Sequence, residues 1–355
     1  MALLPSGIYF ETYNERKTYI HTRPQWACFI IFLLLLVLLP YLVSLRFLGF
    51  ISTTYIILIA VVGLQIITGY AGQINLGQSA FMGMGAYVTA SLALNLHLPF
   101  WITIPCGGIG GAILGVTFGL PVLRIKGFYA GLSTLAGQIV FPLIIFSLPL
   151  KMFGGALGLR IEPARFLGIT FVSDVSLYYF NMIISLIMIF FAFNLLRSRT
   201  SRAFVAVRDN DIVAELIGIN ISYYKILAFF IGAFYAGVAG SLWAYNLRYV
   251  GVDQFTLFFS IWYLGMIIVG GTGNIFGAIL GTVFLRSIQE VMNHLGPFLV
   301  KAFPKIGGPE AWFGGMNILL GLLIVLFLIY EPRGLAHVWN TLKLSYRIWP
   351  FPYTK

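Results

Sequence analysis

Apolar residues run almost without interruption through stretches such as Phe29 to Leu39 and Met316 to Tyr330. A helix needs about 20 apolar residues to cross hydrocarbon, whereas the strands of a membrane barrel show segments of about 10 alternating residues. Continuous runs of this kind predict helix. Spans are predicted at residues 26–45, 50–68, 70–94, 99–120, 128–149, 177–196, 225–246, 255–271, 277–295 and 314–331. The fold class expected is all-α: a polytopic helical membrane protein of about ten spans. The first run follows some two dozen polar residues and precedes many further spans, so a cleaved signal peptide is not expected.

Composition agrees, with 59% hydrophobic and only 9% charged residues. The 22 basic residues then set the topology. With the N-terminus inside, fourteen of them fall on the cytoplasmic face, including Arg124, Lys126, Arg197, Arg202, Arg208, Arg333 and Lys343. Seven fall outside and Arg286 lies within a span, a bias that places both termini in the cytoplasm. The expected organisation is a cytoplasmic tail over 1–25, a membrane domain over 26–336 and a second cytoplasmic tail over 337–355. The net charge of +11 requires no nucleic acid, because anionic lipid at the inner leaflet accounts for it.

Small residues recur at helix-packing spacing. Gly107, Gly111, Gly115 and Gly119 form one row, and Gly232, Ala236 and Gly240 another, which predicts close backbone approach between helices. Two other segments interrupt the helical pattern in the same way. Residues 66–74 and 267–275 both read Ile-Ile-x-Gly-x-x-Gly-(Gln or Asn)-Ile, the mark of an internal repeat. Parallel copies follow from the span count, and inverted copies follow if residues 70–94 re-enter without crossing. Glycine lets a helix unwind, and irregular backbone is tolerated at membrane depth only where protein or water covers it. Polar side chains beside the breaks are therefore the candidate translocation path: Gln65, Tyr70, Gln73, Asn75, Gln78 and Asn274. The bland alternative is two tight turns between helices.

The densest charge lies in one short stretch between apolar helices, residues 197–225. Asp209, Asn210 or Asp211 can start a short helix there and Gly218 can end it. Ile212, Val213 and Leu216 share a face, ringed by Arg202, Arg208, Asp209 and Glu215. An apolar knob of this kind suits a groove on another protein, and the competing reading is a loop resting on lipid.

The sequence contains no Walker A, His-Glu-x-x-His, Cys-x-x-Cys or Gly-x-Ser-x-Gly motif, so neither covalent catalysis nor ATP hydrolysis is expected of this chain. Cys28 and Cys106 sit in apolar runs, and the four histidines fall near span ends, which predicts no metal site. Almost all acids lie outside the spans, unlike a proton-driven carrier. Arg286 and Glu290, four residues apart on one span, are expected to form a structural ion pair.

Several long motifs then become informative together: GYAGQINLGQSAFMGMGAYV (69–88), LRIKGFYAGLSTLA (123–136), the run from Arg202 to Gly240, MIIVGGTGNIFGAILG (266–281) and EPRGLA (331–336). They resemble the LivM-type permease subunits of bacterial branched-chain amino acid ABC importers, over nearly the whole chain. That resemblance implies an inner-membrane, multi-pass permease subunit of an ATP-driven importer. It implies as partners a second related permease, two cytoplasmic ATPase subunits that bind ATP and Mg, and a periplasmic solute-binding protein. The solute is then a branched-chain or related amino acid. It also implies that Arg202, Arg208, Asp209, Asp211, Glu215, Leu216 and Gly218 belong to the segment that meets an ATPase. Permeases for urea or short-chain amides share the same motifs, and a self-sufficient channel or carrier is the rival from another class.

Overall fold

The computed structural model describes residues 23–125, 127–166, 169–302 and 309–348. Most of the tail expected over 1–25, Lys126 and the last seven residues lie outside the described residues. The helices are α1 (Arg23–Leu42), α2 (Leu45–Leu64), α3 (Gln78–Asn95), α4 (Phe100–Gly119), α5 (Phe128–Ser147), α6 (Asp174–Arg197) and α7 (Arg199–Asp209). They continue with α8 (Asp211–Leu216), α9 (Ile221–Leu247), α10 (Leu257–Gly270), α11 (Ile275–Ala302), α12 (Pro309–Tyr330) and α13 (Leu335–Ile348). Among the described residues strand is confined to two-residue pieces, of which β1 (Leu159–Arg160) pairs antiparallel with β4 (Tyr249–Val250) and β2 (Arg165–Phe166) with β3 (Ile169–Thr170).

Every predicted span falls on a helix, but not every helix is a simple span. Among the described residues seven helices are long and apolar enough to cross a membrane. The number rises to eight if the bent pair Asn317–Tyr330 and Leu335–Ser345 is one span. The apolar part of α1 is shorter, Trp26–Leu42. The span expected at 70–94 starts late, at Gln78, because the chain from Ala71 to Gly77 is not helical. Gly72 adopts φ +68°, a left-handed conformation that suits glycine, and turns the chain back into the bundle.

The core is built from α2, α3, α4 and α9, with α4 and α9 in the most extensive contact. The predicted glycine row makes that contact possible. Gly111 lies against the Ala233 carbonyl and Gly237, Gly115 against the Ala233 methyl, and Gly119 against the Phe229 ring. The second row packs on other neighbours, Gly232 on Gly63 and Ile67, and Gly240 on Met82 and Ala86. With helix axes so close, polar side chains reach across. Thr89 donates to Ser241 Oγ (2.7 Å) and the Thr103 and Tyr245 hydroxyls meet at 2.7 Å. On the opposite side of α9, Asn181 donates to Ser52 Oγ at 2.7 Å and to Asn246 Oδ1 at 3.1 Å.

The expected Arg286–Glu290 pair is not formed. Arg286 projects from α11 toward α2, donates to Thr53 Oγ1 (2.9 Å) and to Gln289 Oε1 (2.7 Å), and lies over the Phe50 ring. Glu290 instead faces His294 at 3.6 Å, one turn further along the helix. The guanidinium reaches a neighbouring helix that sequence spacing alone does not reveal, where hydroxyl, amide and ring hold its outer nitrogens while its Nε stays unpartnered.

These contacts predict a sharp contrast between two glycines. Gly240→Val drives a side chain into the Met82 backbone and is expected to cost about 1–3 kcal/mol. Gly49→Ala, with nothing within 4 Å of the added methyl on a helix, is expected to be neutral or to stabilise by up to about 1 kcal/mol. Thermal unfolding of the two variants in detergent measures the difference.

Candidate docking helix and broken-helix site

The helix α8 is short but well specified. Asn210 caps it, its side chain accepting from Ile212 N (3.0 Å) and Val213 N (3.2 Å). Gly218, at φ +85°, ends it in a left-handed turn in which Ile219 N donates back to Ala214 O at 3.0 Å. Ala214 faces the bundle, whereas Leu216 and Ile217 are 81% and 68% exposed. Ile212 and Val213 are exposed beside them, and Glu215 is exposed on the same turn. Isolated six-residue helices are not stable in water, so tertiary contacts must hold this one. The main tie is Lys225, at the start of α9, which donates to Asp211 Oδ2 at 3.0 Å with only 5% of its side chain exposed. A buried pair of this kind is worth little for net stability but is costly to break, which fixes geometry.

Behind α8, α7 seats Ala203, Phe204 and Val207 in the bundle, with Phe204 edge-on to Tyr224. Arg202 and Asp209 are exposed, and Asp209 meets Arg208 at 2.9 Å. Arg208 also reaches inward, where its Nη1 donates to Gly69 O at 2.9 Å. A crevice of about 150 Å³ opens between α7, α9 and the backbone around Gly72, lined by Gly72, Gln73, Ile74, Gly127, Val207, Arg208, Asp211 and Lys225.

The two glycine breaks predicted from the repeat lie side by side at this end of the bundle. Gln65 Nε2 donates to Gly271 O (3.1 Å) and to Asn274 O (3.0 Å), joining the first break to the second. The first is a mostly buried excursion: α2 widens into a π-helical turn over Gln65–Tyr70, then runs irregularly to Gly77. The second is a short turn through Gly271 and Gly273, at φ +112° and +80°.

The excursion carries α3 deep into the protein. Gln78 donates to Ala60 O at 2.8 Å, and Ala60 lies about 15 Å along α2 from Tyr70 at helical rise. The first amides of α3 are therefore met inside the bundle. Leu76 N donates to Thr134 Oγ1, Ser79 N to Ser260 Oγ and Ala80 N to Gln138 Oε1, all within 2.9 Å. Gly77 N donates to Asn75 Oδ1, and Asn75 Nδ2 to Gln78 Oε1.

The six polar residues predicted beside the breaks are thus brought together, but mostly as ties to backbone. Gln65, Asn75 and Gln78 are fully buried and Gln73 nearly so, its amide donating to Ala71 O at 3.0 Å. Asn274 accepts from Phe276 N at the start of α11, and Tyr70 is half-buried. Sequence reasoning missed Thr134, Gln138, Ser260 and Lys225 as members of this site. Gln138 and Lys225 are isolated polar positions in apolar helices, and that isolation was the available signal.

A helical bundle with a broken span and an exposed apolar helix at one end is a membrane protein, and its family makes it a permease. The chain belongs to the family described as branched-chain amino acid transport system, permease component, which matches residues 46–328. It is 29% identical to the high-affinity branched-chain amino acid transport system permease protein LivM of Salmonella typhimurium, over 83% of this chain and 71% of that protein. It is also 29% identical to the protein of the same name from Escherichia coli, over 88% and 75% of the two chains. The fructose import permease protein FruG of Bifidobacterium longum is 26% identical over 88% of this chain and 92% of its own length. No solved structure matches the chain.

Lys225→Met leaves Asp211 without its buried cation and is expected to loosen α8 by about 3 kcal/mol. Faster amide exchange over residues 211–219, with the bundle unchanged, is the outcome that checks this.

Proposed function

We propose that this chain is one of two permease subunits in an ATP-driven importer of the bacterial inner membrane, carrying branched-chain or closely related amino acids. A periplasmic binding protein delivers the solute, a second related permease completes the passage, and two cytoplasmic ATPases supply the energy from ATP and Mg. This chain performs no covalent chemistry and needs no nucleic acid. The observation that carries the reading is α8, an apolar helix left open to solvent on a protein that holds it rigidly through a buried ion pair. Exposed apolar side chains on a fixed helix are a docking surface, and in this family of transport systems an ATPase is the partner to be docked.

In this reading α8 and α7 move together when the ATPases close, and the glycine breaks flex while α3, α4 and α9 stay packed. Gln65, Gln73, Asn75, Gln78 and Asn274 act as ties that hold broken backbone at depth, and Tyr70 lies beside them at the bundle end. The wall of the passage forms against the second permease. The solute follows the binding protein more than this chain, which fits a set of relatives named for branched-chain amino acids and for fructose. On the opposite end of the bundle, the exposed Arg160 and the Glu162–Arg165 pair at 3.5 Å offer a charged surface for that binding protein.

A tagged chain purified in detergent from native membranes is expected to bring down two ATPases and a second permease. The double variant Glu215→Arg, Leu216→Asp is expected to keep the permease and lose the ATPases. Recovery of the intact chain alone overturns the importer reading in favour of a self-sufficient channel or carrier.

A further inference from the structure

Arg208 stands on the docking segment with its side chain 36% exposed, yet its guanidinium reaches back to the bundle. Its stem crosses Gly72, where an added Cβ would lie 2.5 Å from Arg208 Cγ. Its Nη1 then donates to Gly69 O at 2.9 Å, at the end of the π-helical turn. The same nitrogen lies against the second break, since an added Cβ on Gly273 would lie 3.0 Å from Nη1 and 3.5 Å from Gly69 O. Gly69 and Gly273 are themselves in contact, an added Cβ on Gly69 falling 2.7 Å from Gly273 N. Asp209, one residue on, holds the outer side of the guanidinium at 2.9 Å, which fixes its orientation.

One guanidinium therefore occupies the seam where both breaks meet. A carbonyl at the end of a helical turn has no partner within that turn, so an external donor becomes part of the backbone structure. Gly72 and Gly273 carry positive φ, at +68° and +80°, so the arginine seat is lined by backbone that other residues do not readily adopt. A third turn joins the stack, because Gly334 lies against Gly271 at the start of α13. Packed contacts of this kind pass displacement in discrete steps, not continuously.

We propose that Arg208 is the positioning residue that transmits movement of the docking helix to both glycine breaks, and so ties ATP hydrolysis to transport. The proposal rests on the importer reading above and adds the route by which the docking segment acts. Its role differs from that of the exposed knob: Leu216 and Ile217 hold an ATPase, while Arg208 relays what the ATPase does.

The test uses the assembled complex of both permeases and both ATPases, with Arg208→Met and Arg208→Lys beside the wild type. Methionine keeps the stem over Gly72 and removes the donor; lysine keeps a charged donor. Amide exchange over residues 69–77 and 270–274 is measured with and without ATP and vanadate, together with basal ATP hydrolysis and ATP-driven leucine uptake with the binding protein. Wild type and Arg208→Lys are expected to show a nucleotide-dependent exchange change at both breaks. Arg208→Met is expected to lose that change and to lose uptake by about tenfold, within the range of measured coupling free energies. Equal exchange responses in the methionine and lysine variants overturn the proposal while leaving the importer reading intact. Loss of the ATPases from Arg208→Met overturns it too, making Arg208 a docking residue. A wild-type chain that carries no ATPase overturns both.

Discussion

In hydrocarbon no water replaces a missing hydrogen bond, and this bundle holds a stretch of non-helical backbone between Ala71 and Gly77. Most of the polar residues in the site exist in relation to that stretch. Thr134, Gln138 and Ser260 supply oxygens to amides at the start of α3, and Gln78 supplies a donor to a carbonyl of α2. Gln138 in turn donates to Phe255 O at 2.6 Å, so the cap is fixed from a third direction. A change at any of these positions leaves a buried group unpaired, at about 1–3 kcal/mol each. The arrangement keeps a broken span stable without making it rigid along its whole length.

Close helix packing is the second condition. Lipid tails give helices no hydrophobic reason to associate, so contact area and short polar bonds must do so. The glycine face of α4 lets α9 approach until backbone touches backbone, and Thr89, Ser241, Thr103 and Tyr245 then fall within bonding reach. Close packing there and broken backbone elsewhere divide the molecule into a tightly packed part and a seam where the two breaks meet. The docking segment lies at the seam, where Lys225 anchors α8 and Arg208 enters between the breaks.

A charged residue inside a membrane domain invites a functional reading, and the structure separates three cases. Lys225 is buried against Asp211 and holds a helix in place. Arg286 bonds Thr53 and Gln289 and lies over the Phe50 ring, between α2 and α11. Arg208 lies on the exposed segment and bonds a main-chain carbonyl at the first break. The three differ in their partners: a carboxylate, a hydroxyl with an amide and a ring, and a main-chain carbonyl.

Hydrophobic run length determined the helical class and the rough place of the long helices, because hydrocarbon permits little else. Local chemistry determined the ends of α8, since an Asn cap and a Gly turn act within a few residues of themselves. The glycine row was legible as a packing face because its spacing repeats on one side of a helix. Distance along the chain hid the rest. Nothing near Arg286 in sequence points to Thr53, and nothing near Gln138 points to the amide of Ala80. The late start of α3 was hidden for the same reason, since an interior helix start is tolerable only when residues from α5 and α10 arrive to cap it. The sequence by itself determined which segments are helices and which carry polar breaks. Only the tertiary structure decided how those breaks are satisfied and that both meet at Arg208, because hydrogen bonds between distant segments exist only once the bundle has packed.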